Sequence, residues 1–406
     1  MDLADLNWKE RTYDPDASLG KAMQQTDWLA LCRLASDLRG GVLSEPLDSS
    51  TNGLNNMARL LRFDDGVLWV ARIAMRRSNA ASAKLRSEVD TICWIQESSR
   101  LPVPKIFASE VEVGPHNVAG VPFVLMEFLP GNTAMDSNGG YETHHSKIPI
   151  ALQPHFYRSV AACHVQMTAL RLPHIGTIRR REDGEFETGP IPGSGGRFDT
   201  ATAFFKAWAN WAKFPRRPDE IVEIMRVAPE TRQVLSSVET FLRRLRNVAP
   251  LLAQHHNNDY GPFPLQHPEF LHHNIIVAPD NFDVLGIIDW EGACTLPIEL
   301  VRFPRFFDLM PRRFGSADRF DDDGLPRDED ERQRWQEREE YVHMVAALEE
   351  FEGGGDHTLS TCLADEYSQD LSYAMDAFDG GKMGFYDQVF DGIEEGLGKG
   401  LSEEGK

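Results

Sequence analysis

The sequence predicts the α+β class, with a β-rich N-terminal lobe followed by a mainly helical C-terminal lobe. Three observations carry this expectation. Residues 57–63 and 67–73 (MARLLRF and VLWVARI) are strand-like runs separated by Asp64-Asp65-Gly66, and an Asp-Gly step between alternating apolar runs is a hairpin signal. Pro130-Gly131 closes this region, after which helical periodicity dominates. A compact block at 263–291 then sets two short β-branched runs, 275–277 and 284–288, around an Asp280-Asn281 turn.

The elements follow in order. A polar, glycine-bearing stretch, Ser49 to Asn56, precedes the hairpin. After it, Leu85, Val89, Ile92, Cys93 and Ile95 recur at helical spacing between Ala83 and Ser98. Leu101-Pro102-Val103-Pro104 stops that helix and leads into two extended runs, KIFASEVEV and VPFVLMEFL. Helical patterns return at 152–171, 199–213 and 229–253, with a glycine-rich hairpin expected within 174–192. The remainder, 297–396, is expected to be largely helical. The organisation is therefore an N-terminal helical extension (1–48), an N-lobe (49–131), a C-lobe (132–396) and a frayed tail (397–406).

Composition narrows the function classes. Hydrophobic residues make up 41 % of the 406 and charged residues 26 %, as in a soluble globular protein. No apolar run reaches the roughly 18 residues of a membrane-spanning helix, and the acidic N-terminus lacks the pattern of a signal peptide. The five cysteines are odd in number and outside any CxxC pair. That argues against a disulfide framework and for a reducing, cytoplasmic setting. A net charge of −21 disfavours nucleic acid or an anionic membrane as partner. Much of the acidity lies in 318–340, expected to be a solvated loop running into an exposed helix, with an electrostatic lure for a cationic substrate as the sharper alternative.

Chemistry concentrates in residues 264–293, PLQHPEFLHHNIIVAPDNFDVLGIIDWEGA. His267, Glu269, Asn274 and Asp289 stand at fixed offsets around a β-hairpin. Asn274 opens its first strand and Asp289 follows its second, so these hard oxygen donors can converge on one metal, with Glu269 as a nearby carboxylate. The block resembles the catalytic and metal loops of the aminoglycoside phosphotransferase family, whose pattern is H-x-D-x-x-x-x-N followed by I-D-W/F-E. Here it stands as His267-Pro-Glu269-Phe-Leu-His-His-Asn274 and Ile288-Asp289-Trp290-Glu291. The form with NIIV and VLGIIDWE is similar to that of many fungal members.

The resemblance implies a bilobal, protein-kinase-like fold and transfer of the γ-phosphoryl group of ATP, with Mg2+, to a hydroxyl of a small-molecule acceptor, cationic amines included. It extends to the N-lobe. Asn52, Gly53, Asn55 and Asn56 match the turn of the nucleotide-covering hairpin. Arg72 stands where the family's strand carries a phosphate-binding lysine, and Glu88 on the next helix is placed to pair with it or to remain an exposed helix acid. Residues near Glu127 and Leu129 match the hinge whose backbone meets adenine. Glu269 and His267 are the implied catalytic residues, His267 being more commonly a structural hydrogen-bonder in such loops, and Asn274 and Asp289 the implied metal ligands. Glu269 in place of aspartate, together with Arg72 in place of lysine, opens a second reading, in which the chain binds nucleotide or a partner without efficient transfer. His272 and His273 face substrate or pack, Glu291 anchors the metal loop or meets a cationic acceptor, and His164 is expected in the core. A protein kinase is disfavoured, since DFG does not occur and IDWEGACTLPIE stands where its activation segment is expected. The pattern carries no signal for the acceptor's identity or for oligomeric state.

Overall fold

The structure is a computed structural model that describes residues 6–8, 18–76, 78–145, 147–255, 258–352 and 354–403. Parts of the expected extension (1–5, 9–17) and tail (404–406) lie outside them. In chain order the elements are α1 (Ser18–Gln25), α2 (Trp28–Leu38), β1 (Ser44–Asn52), β2 (Asn56–Phe63), β3 (Leu68–Ala74), α3 (Asn79–Ser98), β4 (Ile106–Glu110), β5 (Phe123–Glu127), β6 (Asn132–Thr133), α4 (Tyr141–His144), α5 (Gln153–Ala169), β7 (Arg171–Leu172), β8 (Gly176–Arg180) and β9 (Phe186–Gly189). There follow α6 (Ala201–Trp211), α7 (Pro218–Ile224), α8 (Thr231–His255), β10 (Phe263–Gln266), β11 (Ile275–Val277), β12 (Val284–Ile287), β13 (Cys294–Thr295), α9 (Glu329–Glu352), α10 (Thr358–Ala364), α11 (Glu366–Asp379) and α12 (Tyr386–Glu403). The class is α+β, as the sequence predicts.

The chain forms two compact units, the first built from 1–160, 178–187 and 267–293. Its centre is an antiparallel five-stranded sheet in the order β1-β2-β3-β5-β4. Strand alternation gives this sheet two apolar faces. Trp69, Ala71 and Ile73 of β3 join Met57, Leu61 and Phe63 of β2 under α1 and α2, where Leu31, Cys32 and Ala35 are buried. Val70 of β3, Leu60 of β2, and Val124 and Met126 of β5 pack on the other face against Leu85 of α3. Ser78 caps α3, its hydroxyl accepting from the Ala81 amide at 3.1 Å, as an N-cap serine should.

Two expected boundaries are corrected. The segment 1–48 is not helical throughout: β1 starts at Ser44 and pairs with β2, Ser44 opposite Phe63 and Asn52 opposite Met57. Its sequence SEPLDSSTN is polar because it is an edge strand with mostly exposed or half-exposed residues. Nor do the units part at Gly131. Just beyond it, β6 pairs with β11, which pairs with β12, so 132–160 and the block 267–293 belong to the first unit.

Gly131 has a steric role there. A Cβ on it would fall 2.2 Å from the Val277 carbonyl oxygen and 3.1 Å from Leu285 Cδ1. Gly131→Ala is expected to cost about 1–3 kcal/mol by overpacking, read as a lower urea midpoint at unchanged m-value. Gly114→Ala, where nothing lies within 4 Å, should leave the midpoint in place.

The second unit comprises 161–177, 188–266 and 294–406. Its helices enclose an aromatic core of Trp208, Phe241, Phe378, Tyr386 and Phe390, with Phe241 stacked on Phe378 at 4.6 Å. Ile393 and Leu397 pack on that core, which is why α12 runs on to Glu403 rather than fraying from 397. Strands β7, β10 and β13 pair antiparallel, and β13 also pairs with the start of β8. His164 is a core residue, its Nδ1 3.1 Å from the Tyr341 hydroxyl, and burial pushes its pKa down to about 3. In the acidic stretch, Arg319 pairs with Glu331 and Arg332 with Asp321, each at 2.6 Å. Among the described residues no helix is long and apolar enough to cross a membrane.

Candidate active site

Strand β3 is central, and its alternation puts Arg72 on the same face as Val70, the face that meets α3. On α3, Glu88 lies one turn from Leu85 and from Ile92, along the buried stripe. The two side chains therefore converge. Arg72 Nη1 donates to Glu88 Oε1, and Arg72 Nη2 donates to Asp289 Oδ1 at 2.8 Å. Burial pushes the Glu88 carboxyl above the usual carboxylate range, opposed by the Arg72 guanidinium. Burial also works against the charge of Arg72, but Glu88 and Asp289 outweigh it and hold the guanidinium more firmly protonated than usual. Glu88 Oε2 is buried with no hydrogen-bond partner among the described residues. The pairing reading of Glu88 is the one the geometry realises.

The catalytic block is held by its backbone. The Ile288 amide donates to the Asn274 carbonyl at 2.9 Å, extending the β11–β12 ladder to the residue before Asp289. Asn274 Nδ2 donates to the Glu269 carbonyl at 2.9 Å, which leaves the carboxamide oxygen of Asn274 for another partner. Asp289 has φ +64°, the left-handed region that aspartate and asparagine enter more readily than most residues. This turn takes the chain off the strand and directs the carboxylate to Arg72.

His267 is a pin rather than a proton carrier. Its Nδ1 accepts from the Glu269 amide and its Nε2 donates to the Ile288 carbonyl, both at 3.0 Å. Both ring nitrogens of a neutral imidazole are thus spent on backbone, and burial lowers the pKa to about 4. Trp290 packs edge-on against the ring at 4.7 Å and donates its indole N–H to Ile287. The catalytic role implied for His267 is corrected accordingly: it ties the loop carrying Glu269 to the strand that leads into Asp289.

Glu269 is open to solvent, with its Oε2 3.4 Å from His273 Nε2. The two adjacent histidines part company: His273 faces Glu269, whereas His272 is buried, stacks on Phe156 and has its pKa lowered by burial to about 4. Of the covering turn, Asn52 and Gly53 close the bend, the Gly53 amide donating to the Asn56 carbonyl at 2.9 Å. Asn55 and Asn56 instead reach Glu291, at 3.4 and 3.5 Å. Lys84, which the sequence reading passed over, also meets Glu291, at 3.5 Å. Its spacing of one helical turn from Glu88 was the available signal. At the hinge, the Glu127 amide donates to Lys105 and its carboxylate accepts from the Lys105 amide. That amide is committed inside the sheet. Leu129 accepts from the Gly131 amide and packs against Gly286, whose Cβ would meet Leu129 Cδ1 at 2.4 Å.

The donors fit the groups that the sequence implied. One carboxylate and one carboxamide oxygen, from Asp289 and Asn274, suit magnesium, which usually takes one or two protein oxygens and completes its shell with phosphate and water. A buried guanidinium beside a turn bearing two side-chain amides suits a polyphosphate.

The model of the phosphotransferase enzyme family, APH, matches residues 52–299. That is more than half of the chain, and the protein belongs to this family of phosphotransferases. A subtelomeric hrmA-associated cluster protein of Aspergillus fumigatus is 24 % identical over 305 residues, 60 % of this chain and 56 % of the relative. The chain thus spans a little over half the length of that curated relative. Among solved structures, the aminoglycoside phosphotransferase APH(3'')-Id of Streptomyces rimosus in complex with ADP and streptomycin is 17 % identical, covering 82 % of this chain and 98 % of that one, with a TM-score of 0.38. An ethanolamine kinase of Plasmodium vivax is 12 % identical over 86 % of this chain and 81 % of that one, with a TM-score of 0.37.

Proposed function

We propose that this protein transfers the γ-phosphoryl group of ATP, with magnesium, to a hydroxyl group of a small-molecule acceptor. The observation that carries the reading is the bridging of Glu88 and Asp289 by Arg72, which gathers a strand, a helix and the metal-loop candidate into one cluster. In this reading Arg72 holds phosphate oxygens and Glu88 orients Arg72. Asn274 and Asp289 hold the metal, and Glu269 positions or deprotonates the acceptor hydroxyl. Bound magnesium supplies neutralisation of phosphate charge. The chain's own contribution is placement, through the His267 pin and the β11–β12 ladder, of groups that need no reorganisation when the reaction occurs. A net charge of −21 favours a neutral or cationic acceptor over an anionic one.

A thermal-shift titration with ATP, with and without magnesium, tests the reading. A site filled at about a hundred times its Kd adds about 2.7 kcal/mol, so a clear magnesium-dependent rise in Tm is expected. Its absence at millimolar ATP would end the nucleotide reading. A second reading, nucleotide binding without efficient transfer, is favoured by one observation: Glu269 meets His273 only at 3.4 Å and stands largely exposed. A magnesium-dependent shift without ADP release over a panel of hydroxylated amines and aminosugars would select it.

A further inference from the structure

The cation on β3 is committed at both ends, Arg72 being bound to Glu88 and to Asp289. A triphosphate presents several charges, and a second cation beside the covering turn would complete its binding. We infer that Lys84 is that group, a phosphate-binding residue acting with Asn55 and Asn56, and that Glu291 occupies these donors when no nucleotide is bound. The inference rests on the nucleotide reading above.

Three donors from two different elements converge on the Glu291 carboxylate. Lys84 Nζ and Asn55 Nδ2 meet its Oε1 at 3.5 and 3.4 Å, and Asn56 Nδ2 meets its Oε2 at 3.5 Å. All three distances exceed the 2.7–3.2 Å or so of a well-formed N–H···O bond, so the donors are gathered without being tightly held. A lysine–carboxylate pair whose lysine is half-exposed contributes little. A phosphate carries more charge and more acceptor oxygens than one carboxylate, and it displaces such a partner at little cost. Lysine suits the position because its ammonium is a mobile point charge on a flexible stem, able to swing from Glu291 to a phosphate, whereas the planar Arg72 fork is fixed by its two carboxylates. Lys84 and Glu88 are four residues apart on one face of α3, so the helix brings the second cation to Glu291 and the orienting acid to the Arg72 that meets Asp289.

Calorimetric titration of magnesium-ATP and of adenosine into the wild-type protein, Lys84→Met, Lys84→Arg and Glu291→Gln tests this. Lys84→Met is expected to weaken ATP on the order of tenfold, with adenosine affinity unchanged and most of the ATP affinity recovered in Lys84→Arg. Glu291→Gln is expected to tighten ATP several-fold, because it releases the donors. If wild type binds ATP and Lys84→Met binds it equally well, the assignment of Lys84 is overturned while the nucleotide reading stands. If Glu291→Gln loses magnesium-dependent affinity instead, Glu291 is a metal ligand and not a placeholder, which also overturns the inference. If wild type binds no ATP, the nucleotide reading fails and this one with it.

Discussion

Asp289→Asn is expected to lower phosphoryl transfer by at least on the order of a thousandfold and to remove the magnesium dependence of the ATP-induced rise in Tm. Two losses coincide at this position. The candidate metal loses its one carboxylate, and Arg72 loses the charged partner that its Nη2 reaches at 2.8 Å. Asparagine is the informative replacement because it tolerates the φ of +64° that Asp289 adopts. Alanine would add backbone strain of about 1–2 kcal/mol to the chemical defect. The measurement is ADP release over the acceptor panel, together with the thermal shift in the same variant. Retention of the magnesium-dependent shift in Asp289→Asn would remove this residue from the metal site.

The second large effect is expected at Glu269. Glu269→Gln should reduce turnover by about 10²–10⁴-fold, the range for losing a positioned acid or base, while leaving ATP affinity as it was. The split between turnover and affinity is the diagnostic, because Glu269 is assigned to the acceptor and not to the nucleotide. Glu269→Asp keeps the charge but withdraws it by roughly an ångström, enough to cost about a hundredfold in an aligned site. It should fall between wild type and Glu269→Gln. Equal rates in all three would mean that this carboxylate does not touch the acceptor, and would return the protein to the binding reading.

How much of this was legible in the sequence depends on the kind of signal. The β2–β3 hairpin could be recognised because Asp64-Asp65-Gly66 is turn chemistry between alternating runs. The β11–β12 pair was readable from its β-branched residues and the Asp280-Asn281 turn. The meeting of Arg72 with Glu88 was one of two readings that the family resemblance left open. β1 escaped because a polar edge strand has no apolar period to detect. The pinning role of His267 and the division between His272 and His273 depend on where neighbouring backbone and rings fall, which local pattern does not encode. The left-handed turn at Asp289 has no sequence signature either, since aspartate is only permissive of it. The pairing of the Glu127 amide with Lys105 is tertiary and has no local signal.

The first unit is assembled from three separated stretches of chain, the last ending at Ala293. The sheet that carries Arg72 is complete at Glu127, so during synthesis the ribosome releases it 162 residues (289 − 127) before Asp289. The half-made protein must hold that sheet, its faces covered by α1, α2 and α3 but Phe156 still lacking its late partner Phe282, until the last stretch emerges. Contacts this distant in sequence are slow to form and leave apolar surface open in the interval. Slowed translation or a holding chaperone would therefore be expected to affect the yield of this unit most between the emergence of α3 and that of β12.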